Sequence, residues 1–239
     1  MMLIRTIPSL ITCLALFSGC LSISASVDGD LKLAGYFIIT AAIFDYFDGM
    51  FARLLHAITD FGKQLDSLAD AVSFGVAPAL IMFRLMMQAV QIYNGTDRFA
   101  FHIYLYLPFI IVIFAVLRLA KYNIDESQHK TFRGLPSPAN GLFIAALGVL
   151  SAKNVSYPLQ FLSVNLWFLT IVILMLSVLM VSNIRMYSLK FENAGLRQNL
   201  LRYLLILTSL IVLILLGLPG IILVIVLYTI SSLLVQLLA

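Results

Sequence analysis

Runs of mostly apolar residues, each about 20 long and so of a length that crosses a bilayer as a helix, recur along the chain. The pattern predicts spans near 8–27, 33–53, 67–88, 102–121, 139–156, 162–182, 201–217 and 219–237. GLPG at 217–220 divides the last two as a tight turn. The run over 139–156 is short and rich in Gly and Ala. The connections are short, with no tract that makes a soluble domain and no internal repeat. The predicted fold is all-α, a polytopic membrane helical bundle of about eight transmembrane helices.

Composition agrees. The 239 residues are 62% hydrophobic and 11% charged, against roughly half and a quarter in a soluble domain, and mean hydropathy is +1.05. A formal charge of +4, spread along the chain, gives no footprint for nucleic acid. The opening MMLIRTIPSLITCLALFSGC resembles a lipoprotein signal peptide, but the apolar run continues past Cys20, so a first transmembrane helix is expected instead. Cys13 and Cys20 read as core residues rather than a disulfide or metal pair.

Lys and Arg set the expected orientation. With the N-terminus in the cytoplasm, Arg5, Arg53, Lys63, Arg118, Lys121, Lys130, Arg133, Arg185, Lys190, Arg197 and Arg202 fall on the cytoplasmic side. Only Lys32, Arg98 and Lys153 fall opposite, and Arg84 lies near the outer end of its helix. This predicts a protein integral to the cytoplasmic membrane with both termini in the cytoplasm.

Against this background DYFDGMFARLLHAITDFGKQLDSLAD, residues 45–70, stands out. Asp45, Asp48, Gly49, Ala52 and Arg53 share one helical stripe, and Gly62, Asp66 and Asp70 share another. If LLHAITDF turns the chain into a helical hairpin, Asp45 pairs with Asp70 and Asp48 with Asp66 about a midpoint near residue 57. All four carboxylates then meet at one depth, just inside the cytoplasmic surface. An ionised carboxylate in a bilayer costs several kcal/mol, and four together repel one another. Divalent cations relieve both costs, and Mg²⁺ binds a few carboxylates while it grips phosphate oxygens. Gly49, Ala52 and Gly62 leave room for a bulky ligand, and Arg53 offers a fork suited to phosphate.

Read out, the window is D-x2-D-G-x2-A-R-x8-G-x3-D-x3-D. It resembles the signature of the CDP-alcohol phosphotransferase family at all eight defining positions. DSLADAVSFGVAPAL, LRLAKYN and GLPSPANG are similar to blocks of that family's membrane-type phosphatidylserine synthases, as is IPSLITCLALFSGCLSI. Ser9 and Ala15 stand where that subfamily often has Asn, differences read as lying outside the chemistry. Lys121 and Tyr122 stand where Arg and Phe are frequent. The similarity covers roughly residues 1–190, which implies a catalytic helical core there and two further transmembrane helices over 191–239.

The resemblance implies a homodimeric membrane enzyme that uses Mg²⁺ or Mn²⁺, two ions, to transfer a phosphatidyl group from CDP-diacylglycerol to the hydroxyl of L-serine and release CMP. Carried over by residue, Asp45, Asp48, Asp66 and Asp70 hold the metals and Asp70 is the general base. Asp48, Gly49, Ala52, Arg53 and Gly62 line the cytidine-diphosphate pocket. Serine's carboxylate calls for a cation. Arg118 and Lys121, with Asn123 as a polar partner, are candidates, although each cation also fits the ordinary positive fringe of a membrane protein. Lys63 and Arg133 are further candidate anion contacts. Ser137, held between prolines, reads as shaping rather than catalytic, and His56 and His129 as bystanders. Two alternatives stay open: a same-family enzyme with glycerol 3-phosphate, inositol phosphate or choline as acceptor, and a cation transporter built on the same aspartates.

Overall fold

The structure, a computed structural model, describes residues 2–93, 104–124, 134–151, 160–184, 186 and 199–238. The first two apolar runs form α1 (Met2–Asp28) and α2 (Leu31–Leu54), the most extensive helix pair of the bundle. Asp30 caps α2, its carboxylate accepting from Leu33 N at 3.0 Å. Small polar residues at helical spacing on α1 (Ser18, Ser22 and Ser26) are buried. Ser22 Oγ donates to the Ala34 carbonyl at 2.9 Å and so ties the pair together. In lipid, where apolar association adds little, such small residues and hydrogen bonds hold helices together.

The third run begins earlier than its apolar pattern predicts. Thr59 caps α3 (Asp60–Asp70), its Oγ1 accepting from Gly62 N at 3.0 Å. The cap converts the polar stretch DFGKQLD into helix, so the turn after α2 shortens to Leu55–Thr59. His56 sits there with φ +47°. A π-helical turn over Ala71–Val76 joins α3 to α4 (Ala77–Tyr93). Arg84 on α4 donates from Nε to the Ser26 carbonyl at 2.9 Å and from Nη2 to the Val27 carbonyl, closing the end of α1.

The remaining helices are α5 (Phe109–Ile124), α6 (Ser137–Leu150), α7 (Leu166–Val181), α8 (Leu200–Leu216) and α9 (Gly220–Leu238). Gly217, with φ +63°, makes the turn between the last two. The described residues are thus all-helical apart from turns and connections, with no strand among them. Among the described residues, four helical runs have the length and hydropathy to cross a membrane: Thr6–Asp28, Leu31–Leu54, Asp60–Ile92 and Tyr104–Ile124. The other four are shorter apolar helices.

The Gly- and Ala-rich run predicted over 139–156 proves to be the centre of the bundle. Its helix, α6, starts at Ser137, and every residue from Phe143 to Leu150 is buried. Small side chains allow neighbouring backbones to close on it from several sides. A Cβ on Gly35 of α2 would lie 2.7 Å from the Ala145 carbonyl oxygen. Gly35→Ala is therefore expected to destabilise the protein by about 1–3 kcal/mol, read as a lowered melting temperature in detergent.

Cys13 and Cys20 correct the sequence expectation. Both are free, as expected, but both are exposed rather than in the core. They lie seven residues apart on the outer face of α1, alongside exposed Leu10 and Phe17. In a bilayer the outside is as apolar as the inside, so hydropathy does not distinguish the two faces.

Candidate active site

The two acidic stripes meet. Asp45 and Asp48 of α2 and Asp66 of α3 each offer a carboxylate oxygen, and these atoms lie within 4.8 Å of one another. Asp45 is the hub, within hydrogen-bonding reach of both Asp66 and Asp70. Asp70 stands outside the tight trio, one turn further along α3, beside Asp45 and under the electrostatic influence of the Arg118 guanidinium. The helices deliver this arrangement because i, i+3 and i, i+4 spacing keeps each set of side chains on one edge.

Asp48 is the most enclosed of the trio, 5% exposed, and its Oδ2 is buried with no hydrogen-bond partner. The Thr12 hydroxyl of α1 lies between this carboxylate and the Pro8 carbonyl, 3.0 Å away, and its single proton serves one of them at a time. A buried carboxylate oxygen without a partner costs free energy unless something positive reaches it. Two oxygens on opposite sides of one ion are about 4.2 Å apart for Mg²⁺ and about 5 Å for Ca²⁺. The size of the trio and its all-oxygen donors thus fit a hard divalent cation.

Beside the carboxylates opens a cleft of about 300 Å³. Asp48 and Asp66 lie at its acidic end, and Gly49, Ala52, Arg53, Gly62 and Lys63 line it, so these sequence candidates are brought together. Arg53 is exposed and folds along its own helix, Nε donating to the Gly49 carbonyl at 2.9 Å. Lys63 is exposed at the rim. Sequence reasoning missed the wall supplied by α1, namely Pro8, Ser9 and Thr12, and the turn residues Ala57, Ile58 and Thr59. Ser9, set aside as remote from the chemistry, is in that wall. The available signal was its helical spacing: Pro8, Ser9 and Thr12 fall at i, i+1 and i+4 inside an apolar run.

A second group of polar residues stands on the far side of Asp70. Arg118 of α5 donates from Nη1 to Ser137 Oγ at 2.6 Å, and its Nε is buried without a partner. Ser137 is fully buried at the start of α6, and the segment before it is pinned to α7. Gly134 N donates to the Ile184 carbonyl at 2.9 Å and Leu135 N to the Leu179 carbonyl at 3.0 Å. At φ +74°, with the Met180 carbonyl oxygen 2.5 Å from where a Cβ would stand, position 134 admits only glycine. Lys121 is drawn away to Asn183 Oδ1, 2.9 Å, and Asn123 Nδ2 donates to Ser67 Oγ, 2.9 Å, linking α5 to α3. Arg133 lies outside the described residues.

The geometry invites comparison with known proteins. Residues 5–181 match the family model described as CDP-alcohol phosphatidyltransferase. The chain is similar to the CDP-diacylglycerol--serine O-phosphatidyltransferase of Bacillus subtilis (strain 168), 36% identical over 148 residues, which is 59% of this chain and 74% of the relative. It is similar to the archaetidylserine synthase of Methanothermobacter thermautotrophicus, 37% identical over 142 residues, which is 59% of this chain and 56% of the relative. A CDP-diacylglycerol--serine O-phosphatidyltransferase of Helicobacter pylori (strain ATCC 700392 / 26695) is 35% identical over 182 residues, 74% of this chain and 70% of the relative.

Proposed function

Because the chain belongs to the CDP-alcohol phosphatidyltransferase family, we propose that it transfers the phosphatidyl group of CDP-diacylglycerol to the hydroxyl of L-serine, giving phosphatidylserine and CMP. The observation that carries the reading is the meeting of Asp45, Asp48 and Asp66 at the end of a cleft lined by the small and basic residues of the same signature. The names of the relatives support serine as the acceptor.

In this reading Asp45, Asp48, Asp66 and Asp70 hold Mg²⁺ or Mn²⁺, two ions. When bound, the metal supplies charge that polarises the phosphoryl oxygens and steadies the departing CMP oxygen. Gly49, Ala52 and Gly62 give the nucleotide room against the helix backbones, and Arg53 and Lys63 attract its phosphates. The serine hydroxyl oxygen bonds to the β-phosphorus, the bond from that phosphorus to the bridging oxygen breaks, and CMP leaves with the electron pair. Asp70 takes the hydroxyl proton on its carboxylate. Its place outside the tight trio suits that role, since a carboxylate fully engaged by cations is a poor base.

Arg118 is the best placed of the acceptor candidates. Its charge is felt at Asp70, Ser137 fixes one of its nitrogens, and its Nε is free for an anion such as serine's carboxylate. Lys121 reaches Asn183, just past the end of α7, and Asn123 reaches Ser67 of α3, so both act as supports of the pocket. Arg118→Lys keeps the charge but loses the planar fork. It is expected to raise KM for serine about 10–100-fold, the worth of one or two charge-assisted bonds, with KM for CDP-diacylglycerol little changed.

The lipid donor reaches the site from the bilayer and serine from water, so the site belongs at a membrane surface. The Lys and Arg asymmetry supports the cytoplasmic one, with both termini on that side. Eight transmembrane crossings, a catalytic core over 1–190 with two appended helices, and a homodimer complete the reading. The test is to offer purified protein CDP-diacylglycerol with serine, glycerol 3-phosphate, inositol phosphate or choline and follow CMP. Release with serine alone is expected. Release with another acceptor and none with serine would refute the assignment.

A further inference from the structure

The helix that carries Asp66 and Asp70 has two tasks. Over α3 it must turn Gly62 and Asp66 toward the cleft and Asp70 toward Asp45. Over α4 it must turn Ile81, Met82, Leu85, Met86 and Ala89 into the core, where all are buried. At about 100° per residue in an unbroken α-helix, the mean direction of the α4 set lies about 130° round from that of the α3 set. One edge would then face away from the bundle. The π turn over Ala71–Val76 lies between the two sets. Its Ala77 N–H reaches back five residues to the Val72 carbonyl. Taking up one extra residue removes about 100° of that offset, so both edges face inward.

The turn is held from outside its own helix. Where the hydrogen-bond ladder falls out of step, a buried carbonyl must find another partner. Asn140 of α6, fully buried, donates from Nδ2 to the Phe74 carbonyl at 3.3 Å. Ser73 Oγ donates to the Ala15 carbonyl of α1 at 3.1 Å. The neighbouring helices come close enough to clamp it. A Cβ on Gly19 would lie 2.9 Å from Ser73 Cα, and one on Gly141 would lie 2.8 Å from Phe74 Cδ1.

We propose that the π turn sets the facing of Asp66 and Asp70, and that Asn140, through its bond to the Phe74 carbonyl, is a positioning residue of the carboxylate site. This rests on reading the carboxylates as a divalent-cation site. Asn140 touches no carboxylate in this scheme. It acts on Asp70 through the turn that begins at the next residue.

The test uses full-length protein in lipid nanodiscs and two variants. An alanine inserted after Val72 adds one residue to the segment and turns the two edges about 100° apart again, and Asn140→Leu removes the donor while filling its space with an apolar side chain. Mn²⁺ binding is read directly by electron paramagnetic resonance, beside the melting temperature measured in chelator and the kinetics of CMP release. Both variants are expected to stay folded and to bind Mn²⁺ at least about tenfold more weakly, in the range that loss of a supporting group costs a metal site. kcat is expected to fall while KM for serine holds. Should the insertion protein fail to fold, Asn140→Leu decides alone. Wild-type Mn²⁺ affinity in the folded variants would overturn the positioning role and leave the carboxylate site standing. Absence of Mn²⁺ binding by the wild-type protein would overturn the carboxylate site, and the positioning role with it.

Discussion

Asp70→Asn is expected to lower kcat by about 10²–10⁴-fold, the contribution of a positioned general base, while the protein keeps its fold and its KM for CDP-diacylglycerol. The substitution is isosteric; it removes the capacity to take a proton, together with one of the site's negative charges. Asp70 is the member of the acidic group set outside the trio of Asp45, Asp48 and Asp66, so the cleft and most of the metal site survive it. It also lies within electrostatic range of Arg118, the residue proposed to hold the acceptor. Stopped-flow or discontinuous CMP release at saturating donor and serine provides the measurement. A kcat within a few-fold of wild type would remove the base assignment and leave the cation site untouched.

Asp45→Ala is expected to weaken Mn²⁺ binding by more than about 100-fold, the upper end of what changes outside the ligand shell cost, and to abolish CMP release with it. Asp45 is the carboxylate in reach of both Asp66 and Asp70, so its loss opens the whole group. The same variant carries a stability signature of opposite sign. In chelator the wild-type protein holds several like charges together, and removing one relieves repulsion, so Asp45→Ala melts at a higher temperature. In Mn²⁺ the order reverses: the wild type gains about 2.7 kcal/mol at a hundredfold excess over Kd, and the variant gains almost none. Melting curves with and without metal give the crossing. Parallel curves would mean that the carboxylates do not share an ion.

Much of the site is legible in the sequence because helical spacing is local. Asp45 and Asp48, and Gly62, Asp66 and Asp70, are placed on common edges by period alone. The eight-residue gap then limits how the two edges can meet. What period cannot supply is the third wall. Pro8, Ser9 and Thr12 enter the cleft because α1 packs on α2, a contact that no local pattern announces. The pairing of Arg118 with Ser137 is long-range in the same way. The π turn is silent for another reason: AVSFGV is apolar, without a Pro, and reads as ordinary helix. Only the mismatch between the acidic edge before it and the apolar edge after it gives a sign. The Gly and Ala content of α6 is visible in the sequence, yet it speaks of close packing at the centre rather than of a weak span. The exposed Cys13 and Cys20 mark the general limit, since in a membrane the lipid-facing and core-facing sides of a helix are both apolar.

The most direct test is metal dependence of turnover. Purified protein in nanodiscs, given CDP-diacylglycerol and serine, is stripped with chelator and then supplied with Mg²⁺ or Mn²⁺ while CMP is followed. Release is predicted to stop on stripping and to return with either ion. Undiminished CMP release after complete chelation would contradict the role given to the four aspartates.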